Sequence, residues 1–294
     1  MSEFEVKGFW KWTWKEDNVP SDSTLSVAFS GWVEPDTALQ ESAKIKNQLV
    51  GESYISLGGG NENGRFTSSK IDTIIAAINS GKFSSYQGIA FDIEEGDTGL
   101  SSRFQEAFIA SKNNNLKVLV TISHTAPYGI SDAQQLMAAF FADQNIDYLS
   151  PQLYTQGTET QNDFTENMGV RWADYATTNA AIIPSIVQAN LYQNAKDYFQ
   201  KIGLNTKGFI QWSQTSSTPV PNPIPSPPTP SPSPSPSPSP SPSPTSNSTW
   251  DINKHYNVGD LVTYNSKQYK CLQEHDSVDP NWTPPNTPAL WQPL

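Results

Sequence analysis

The sequence predicts an α/β chain: a (β/α)8 barrel, then a Pro/Ser linker, then a small all-β domain. Three observations predict it. Short apolar segments rich in β-branched and aromatic residues alternate with helical patterns through the first 215 residues. A tract from 219 to 247 alternates proline with serine and threonine. The last 45 residues or so carry two alternating runs around a short polar turn. The expected boundaries are 1–215 for the barrel, 216–248 for the linker and 249–294 for the small domain.

The barrel strands are read at "EVKGFWKWTW", "LSVAFSGW", "SYISLGGG", "QGIAFDIEE", "LKVLVTIS", "DYLSPQLYT", "AAIIPSIV" and "GFIQWSQ". Each is short, apolar and rich in β-branched or aromatic residues, as strands covered on both sides are. Helical spacing is present in "DTALQESAKIKNQL", "SSKIDTIIAAINS", "SSRFQEAFIASK", "SDAQQLMAAFFADQ" and "NLYQNAKDYFQKIG", several of them opening on good N-caps. The segment "KEDNVPSDST" after the first strand is too short for a proper helix, and the pattern before the seventh strand is faint. Eight strands at this spacing sit near the lower size limit of a barrel. An open doubly wound sheet is the alternative, but "FWKWTWKED" has nothing of the Gly-rich turn that fold places after its first strand.

The 219–247 tract has few amide donors and no side chains to bury. It reads as extended polyproline II with a reach of about 90 Å. Within the small domain, "DLVTY" and "KQYKCL" read as a hairpin joined by "NSK". Trp250, Tyr256, Tyr264, Tyr269 and Trp291 are its core candidates, and Cys271 a buried thiol. Trp282, in the Pro-rich loop "DPNWTPPN", is expected to be exposed.

The net charge is −11 and no basic cluster is present, which excludes nucleic acid and anionic membrane surfaces as partners. No apolar run approaches a membrane span. With one cysteine, no intrachain disulfide forms. Three scattered histidines carry no metal-ligand spacing, so neither a metal nor another cofactor is expected.

In a barrel the chemistry sits at the C-terminal ends of the strands. Strand four ends in Asp92 and Glu94, two apart and therefore on one face. Paired carboxylates at a strand end suit acid catalysis. Ala90 lies on the same face, and that dry setting keeps one carboxyl protonated near neutrality. Strand three ends in Gly58, Gly59 and Gly60, which let the backbone turn or approach a ligand. Gln152 and Tyr154 share a face at the end of strand six and offer an amide and a phenol to a neutral polar ligand. Trp212, ending strand eight, supplies a flat face for a pyranose ring, and His124, after strand five, is a candidate for the cleft wall.

Together these residues give the first 215 positions a resemblance to family 18 glycoside hydrolases, in the compact layout of the hevamine-type chitinases. The family's strand-four signature D-x-x-D-x-D-x-E falls on "QGIAFDIE", with Asp92 and Glu94 at its last two acids. S-x-G-G is met by Ser56, Gly58 and Gly59, Q-x-Y by Gln152 and Tyr154, and the strand-eight Trp-Ser pair by Trp212 and Ser213. The resemblance implies a retaining hydrolysis of β-1,4-linked N-acetylglucosamine in which the substrate's own acetamido oxygen is the nucleophile. It implies Glu94 as acid and then base, Asp92 and Tyr154 as holders of the acetamido group, and Gln152, Gly58, Gly59 and Trp212 in substrate binding. It also implies cis peptides at Ala28-Phe29 and Trp212-Ser213. Two positions depart from the signature: Gln87 and Ala90 stand where it has acids.

The small domain resembles chitin-binding modules of families 5 and 12. It has Trp250, then Y-x-x-G-D-x-V-x-Y from Tyr256 to Tyr264, Tyr269 with Cys271, His275 with Ser277, Trp282 with Pro284, and P-A-L-W ending at Trp291. This resemblance implies that Trp282 binds chitin. The combined expectation is an extracellular, monomeric chitinase tethered to its polymer. Two other readings stand beside it: a chitin-binding lectin that has lost catalysis, and an endo-β-N-acetylglucosaminidase acting on N-linked glycans.

Overall fold

The computed structural model describes residues 5–214 and, beyond them, 248–252, 254–256, 260–271, 275–277, 283–285, 287 and 290–293. The chain forms two compact units, Met1–Ser226 and Pro227–Leu294.

The first unit is a closed parallel barrel. Its strands are β1 (Val6–Trp12), β2 (Leu25–Phe29), β3 (Glu52–Gly58), β4 (Gly88–Ile93), β5 (Lys117–Ser123), β6 (Tyr148–Gln152), the two short pieces β7 (Ala181–Ile182) and β8 (Ser185–Ile186), and β9 (Gly208–Gln211). β7 and β8 are one stave interrupted at Pro184, which has no N–H to give the ladder. Counted that way, eight staves make the ring. It closes where β1 pairs with β9, Val6 opposite Gly208 through Phe9 opposite Gln211. The sequence expectation of a barrel is met and the open sheet is excluded.

The period-two alternation of each strand sorts its side chains into two cores. Outward residues such as Ile55, Leu57, Ile89, Phe91, Val118 and Val120 pack against α2 (Ser68–Asn79), α3 (Ser101–Asn113) and α4 (Ala133–Ala142). Inward residues Trp10, Leu25, Val27, Tyr54, Ala90, Leu119, Ile183 and Ile210 fill the ring. Both faces are therefore buried, which is why the strands read as unbroken apolar runs. α2 is capped by Thr67, whose hydroxyl accepts from Lys70 N at 3.2 Å.

The helical layer is incomplete. α1 (Pro35–Ala43) stops early and a 3-10 turn, Lys46–Gln48, follows it, so the single long helix read over 36–49 is two pieces. No helix joins β1 to β2, as expected. There the outward Lys11 is fully buried and its ammonium is bound to the carbonyl of Lys15, so the loop itself covers that face. Before the seventh stave only a 3-10 turn, Trp172–Thr177, occupies the helix position. α5 (Tyr192–Lys201) precedes β9.

In the second unit the hairpin is β12 (Leu261–Tyr264) with β13 (Lys267–Cys271), flanked by β10 (Ser248–Thr249) and β15 (Trp291–Pro293), while β11 (His255–Tyr256) pairs with β14 (His275–Asp276). Tyr264 is opposite Lys267, so the turn is two residues, not three. Asn265 and Ser266 have φ of 48° and 61°, the geometry of a type I′ hairpin turn. Tyr256, Val262, Tyr269, Cys271 and Trp291 form the core, with Trp250 and Tyr264 packed on it. The core candidates and the buried thiol are placed as expected. Trp282 lies outside the described residues.

Candidate active site at the mouth of the barrel

Asp92 is the inward residue of β4 one layer above Ala90, opposite Gly58 of β3 and Thr121 of β5. It is 1% exposed. Burial first, and then the neighbouring Glu94 carboxylate, push Asp92 well above the usual carboxylate range. Glu94, just past the strand end, keeps an edge toward solvent. Burial raises it as well, against the pull of Gln152 and Ser123 as hydrogen-bond donors. Gln152 Nε2 stands 3.4 Å from Asp92 Oδ1 and 3.4 Å from Glu94 Oε1. Ser123 Oγ donates to Glu94 Oε2 at 3.2 Å, and the Gly60 N–H also bonds this carboxylate. Both of these adjacent carboxyls are pushed toward their protonated forms, and one of them has a path to solvent.

The glycines of strand three are geometric necessities. Gly58 has φ +105°, and a Cβ there would fall 2.2 Å from the Asp92 carbonyl oxygen. At Gly60 a Cβ would meet Glu94 Oε2 at 3.0 Å. Gly59, at φ +142°, leads into Asn61, which caps the turn by accepting from the amides of Asn63 and Gly64.

Tyr154 is buried, and its hydroxyl has no partner in hydrogen-bonding geometry. The hydroxyl it lies beside, on Ser185, is engaged with Trp10 Nε1 and Ser150 Oγ, each at 2.9 Å. Burial, then Asp92 and Glu94, keep the phenol neutral. Its ring stacks on Trp212 at 5.8 Å and 27°. Trp212 is half-buried and also touches Trp10, Trp12 and Phe29. Trp12 stacks in turn on Trp14, which is 56% exposed. Trp12 Nε1 is a second buried donor without a partner. A row of aromatic faces thus runs from the carboxyl pair to the surface.

The structure brings Asp92, Glu94, Gln152, Tyr154, Trp212, Gly58 and Gly59 to one end of the barrel. Two expectations are corrected. His124 does not line the cleft: its side chain is 1% exposed and lies against Asp163. The peptides at Ala28-Phe29 and Trp212-Ser213 are trans, as no cis bond occurs among the described residues. Gln87 sits at the opposite end of β4, accepting from the amide and hydroxyl of Ser53, and takes no part in the site. Sequence reasoning missed Ser123, Trp12 and Trp14. Ser123 was findable, because Leu119, Thr121 and Ser123 alternate inward by the same rule that found Asp92. Among the described residues no cluster of His, Cys, Asp and Glu is arranged to hold a metal ion. None of their helices is long and apolar enough to cross a membrane.

Comparison with known proteins is informative mainly at the C-terminus. Residues 249–292 match carbohydrate-binding module family 5/12. Over 45 residues this chain is 58% identical to "Chitinase A1" of Niallia circulans, covering 15% of this chain and 6% of that protein. It is 48% identical over 44 residues to "Streptogrisin-C" of Streptomyces griseus, 15% of this chain and 9% of that one. The chain therefore spans less than a tenth of these relatives. Among solved structures, the Bacillus megaterium spore cortex-lytic enzyme SleL aligns at TM-score 0.46 and 13% identity, over 71% of this chain and 70% of that one. A family GH18 chitinase of Chromobacterium violaceum aligns at 0.42 and 13%, over 72% and 79%. Likenesses of that strength do not bear on activity.

Proposed function

We propose that the barrel is a glycoside hydrolase of the family 18 type, a chitinase that cleaves β-1,4-linked N-acetylglucosamine polymers with retention. The observation that carries this reading is the buried Asp92–Glu94 pair beneath the partnerless Tyr154 hydroxyl and the Trp212 face. In this reading Glu94, raised by burial and open to the cleft, gives its proton to the glycosidic oxygen and then takes one from water. The acetamido oxygen attacks the anomeric carbon, Tyr154 donates to that oxygen, and Asp92 accepts from the acetamido N–H and steadies the positive ring that forms. Trp212 supports the sugar from below, with Gln152, Gly58 and Gly59 shaping the pocket. No cofactor is required.

The family 5/12 match supports polymer binding by residues 249–294, with Trp282 as the contact face and the 216–248 tract as tether. Tethering raises the local concentration of polymer around the barrel without a new contact. The protein then works outside the cell, as a monomer. A second reading, a chitin-binding lectin, is favoured by one observation: Ala90 leaves the layer under Asp92 without a carboxyl. Product analysis on chito-oligosaccharides separates the two. A chitinase releases shorter oligosaccharides and Glu94→Gln abolishes that release, whereas a lectin binds them unchanged. An assay on a glycoprotein beside chitin tests the N-glycan alternative.

A further inference from the structure

His124 stands immediately after Ser123, the donor to Glu94, and has left-handed backbone at φ +47°. Its amide donates to the carbonyl of Gln152 at 3.1 Å, the last rung between the ends of β5 and β6. Its Nε2 lies 3.0 Å from Asp163 Oδ2. The same Asp163 donates its own amide to the carbonyl of Leu153 at 2.9 Å, between Gln152 and Tyr154. The other carboxylate oxygen is taken by Thr165, through its amide at 2.9 Å and its hydroxyl at 2.6 Å. Two residues on, Asn167 ties the loops again by accepting from the amides of Thr125 and Ala126. Tyr128 meets the His124 ring edge-on at 5.5 Å, and Tyr175 donates to the Thr125 carbonyl at 3.0 Å from the other side.

We propose that His124, through the close approach of its Nε2 to Asp163, is a positioning residue that fixes the ends of β5 and β6 so that Ser123 and Gln152 keep their donors on Glu94. The reasoning is geometric. Ser123 and Gln152 sit on adjacent strands, opposite each other in register. Beyond that rung the strands diverge into separate loops, and the His124–Asp163 contact is the side-chain link between them next in sequence to Ser123. A left-handed histidine is strained backbone, tolerated where surrounding contacts over-determine it. The proposal rests on the reading of Glu94 as the acid, but it can be measured on the carboxyl itself.

The experiment is a 13C NMR titration of the Glu94 carboxyl in the full-length chain, assigned by its loss in Glu94→Gln. Groups facing that carboxyl are Asp92, Glu95, Tyr154, Gln152, Ser123 and the Gly60 amide. His124→Asn keeps a residue that accepts left-handed backbone but cannot reach Asp163. Asp163→Ala removes the contact, and Asp163→Asn keeps an oxygen facing Nε2. In the first two, Glu94 titrates at least about half a pH unit higher than in the wild type, because donors to the ionised form are loosened. Asp163→Asn returns toward wild type. On soluble chito-oligosaccharides the first two lose roughly 10- to 100-fold in kcat, as a small misplacement of an acid does, with KM little changed. Unchanged Glu94 titration in folded His124→Asn and Asp163→Ala overturns the proposal. So does failure of both to fold, which assigns the pair to stability. Should the wild type cleave nothing while the titration moves as described, the chitinase reading fails and the positioning role stands.

Discussion

Restoring a carboxyl at position 90 tests how the pocket handles its protons. Ala90 is fully buried inside the ring, one layer below Asp92. Opposite it in register is Ser56 of β3, whose hydroxyl is buried and has no hydrogen-bond partner. Ala90→Asp adds three heavy atoms to a packed interior, which costs about 1–3 kcal/mol. A hydrogen bond with Ser56 offsets roughly 1 kcal/mol of that, so the net loss is about 0–2 kcal/mol while the new group is protonated. For a unit of this size that lowers Tm by at most roughly 8 °C. The new carboxyl, buried beneath Asp92, has a folded pKa above its unfolded value. Its protonated form is the stable one in the fold, so the loss grows as pH rises from about 4 toward the folded pKa. Melting curves at pH 4 and pH 8 therefore diverge. In turnover, a third acid in the column supplies another place for the proton, and the alkaline limb of the pH–rate profile moves to higher pH. The assay is kcat/KM on a soluble chito-oligosaccharide from pH 4 to 9. A variant with unchanged rate and unchanged optimum would refute the idea that Ala90 shapes the protonation of the pair.

Asp92→Asn tests the same physics from the other side. Because folding raises the Asp92 pKa, the folded chain holds a proton that the unfolded one releases, and stability falls as pH rises from about 4 toward the folded value. The amide removes that loss, so the variant gains Tm over wild type at pH 7 and little at pH 4, while turnover collapses. Trp212→Phe keeps an aromatic core but shrinks the platform. Affinity for chito-oligosaccharide in a Glu94→Gln background falls by about 1 kcal/mol, read by titration calorimetry. Trp282→Ala weakens pull-down on insoluble chitin and leaves turnover of soluble oligosaccharide unchanged. The thiol of Cys271, buried in the core of the small unit, reacts with a thiol reagent only at the rate at which that unit opens. Instant labelling of the native chain would contradict the described core.

The barrel was legible in the sequence because its strands are buried on both faces and its helices are amphipathic. Those signals are local and strong. The site was legible where two functional residues share one strand face, as Asp92 with Glu94 and Gln152 with Tyr154 do. Residues that join the site from a different strand were not. Ser123 reaches Glu94 across 29 positions: the alternation of Leu119, Thr121 and Ser123 turns it inward, but only the fold shows which group it meets. His124 was misplaced for the opposite reason. A histidine at a strand end suggests a cleft, but a left-handed turn at its own backbone swings the ring behind the strand. Pro184 was visible and its effect was not drawn: it splits the seventh stave. The expected cis peptides were carried over from the resemblance alone, and residue types at those bonds do not encode them. That Trp10, Trp12, Trp14 and Trp212 form one continuous row depends on the closure of β1 against β9, two ends of the barrel that no local window contains.

Closure also explains the electrostatics of the pair. The ring is apolar in its lower layers, with Leu25, Tyr54, Leu119 and Ile210, and polar but uncharged above, with Ser56, Thr121, Ser123, Ser150, Gln152 and Ser185. The lower layers exclude water and disfavour ionisation, and the upper ones supply donors that limit how far Glu94 rises. A cation in place of one of those donors would undo the balance. At about 4 Å and an effective dielectric of 20, a unit charge is worth roughly 4 kcal/mol. That equals about 3 pH units, enough to strip the proton from a raised carboxyl at neutrality. Arg65, beside Glu95, is engaged with Asp97 at 2.9 Å and Glu95 at 3.7 Å. The Glu95 charge adds to the burial that raises Glu94. Burial and the Glu95 charge thus raise Glu94, and neutral hydrogen bonds from Gln152, Ser123 and Gly60 hold it down. A proton donor that must also become a base within one turnover needs a carboxyl held between those two limits.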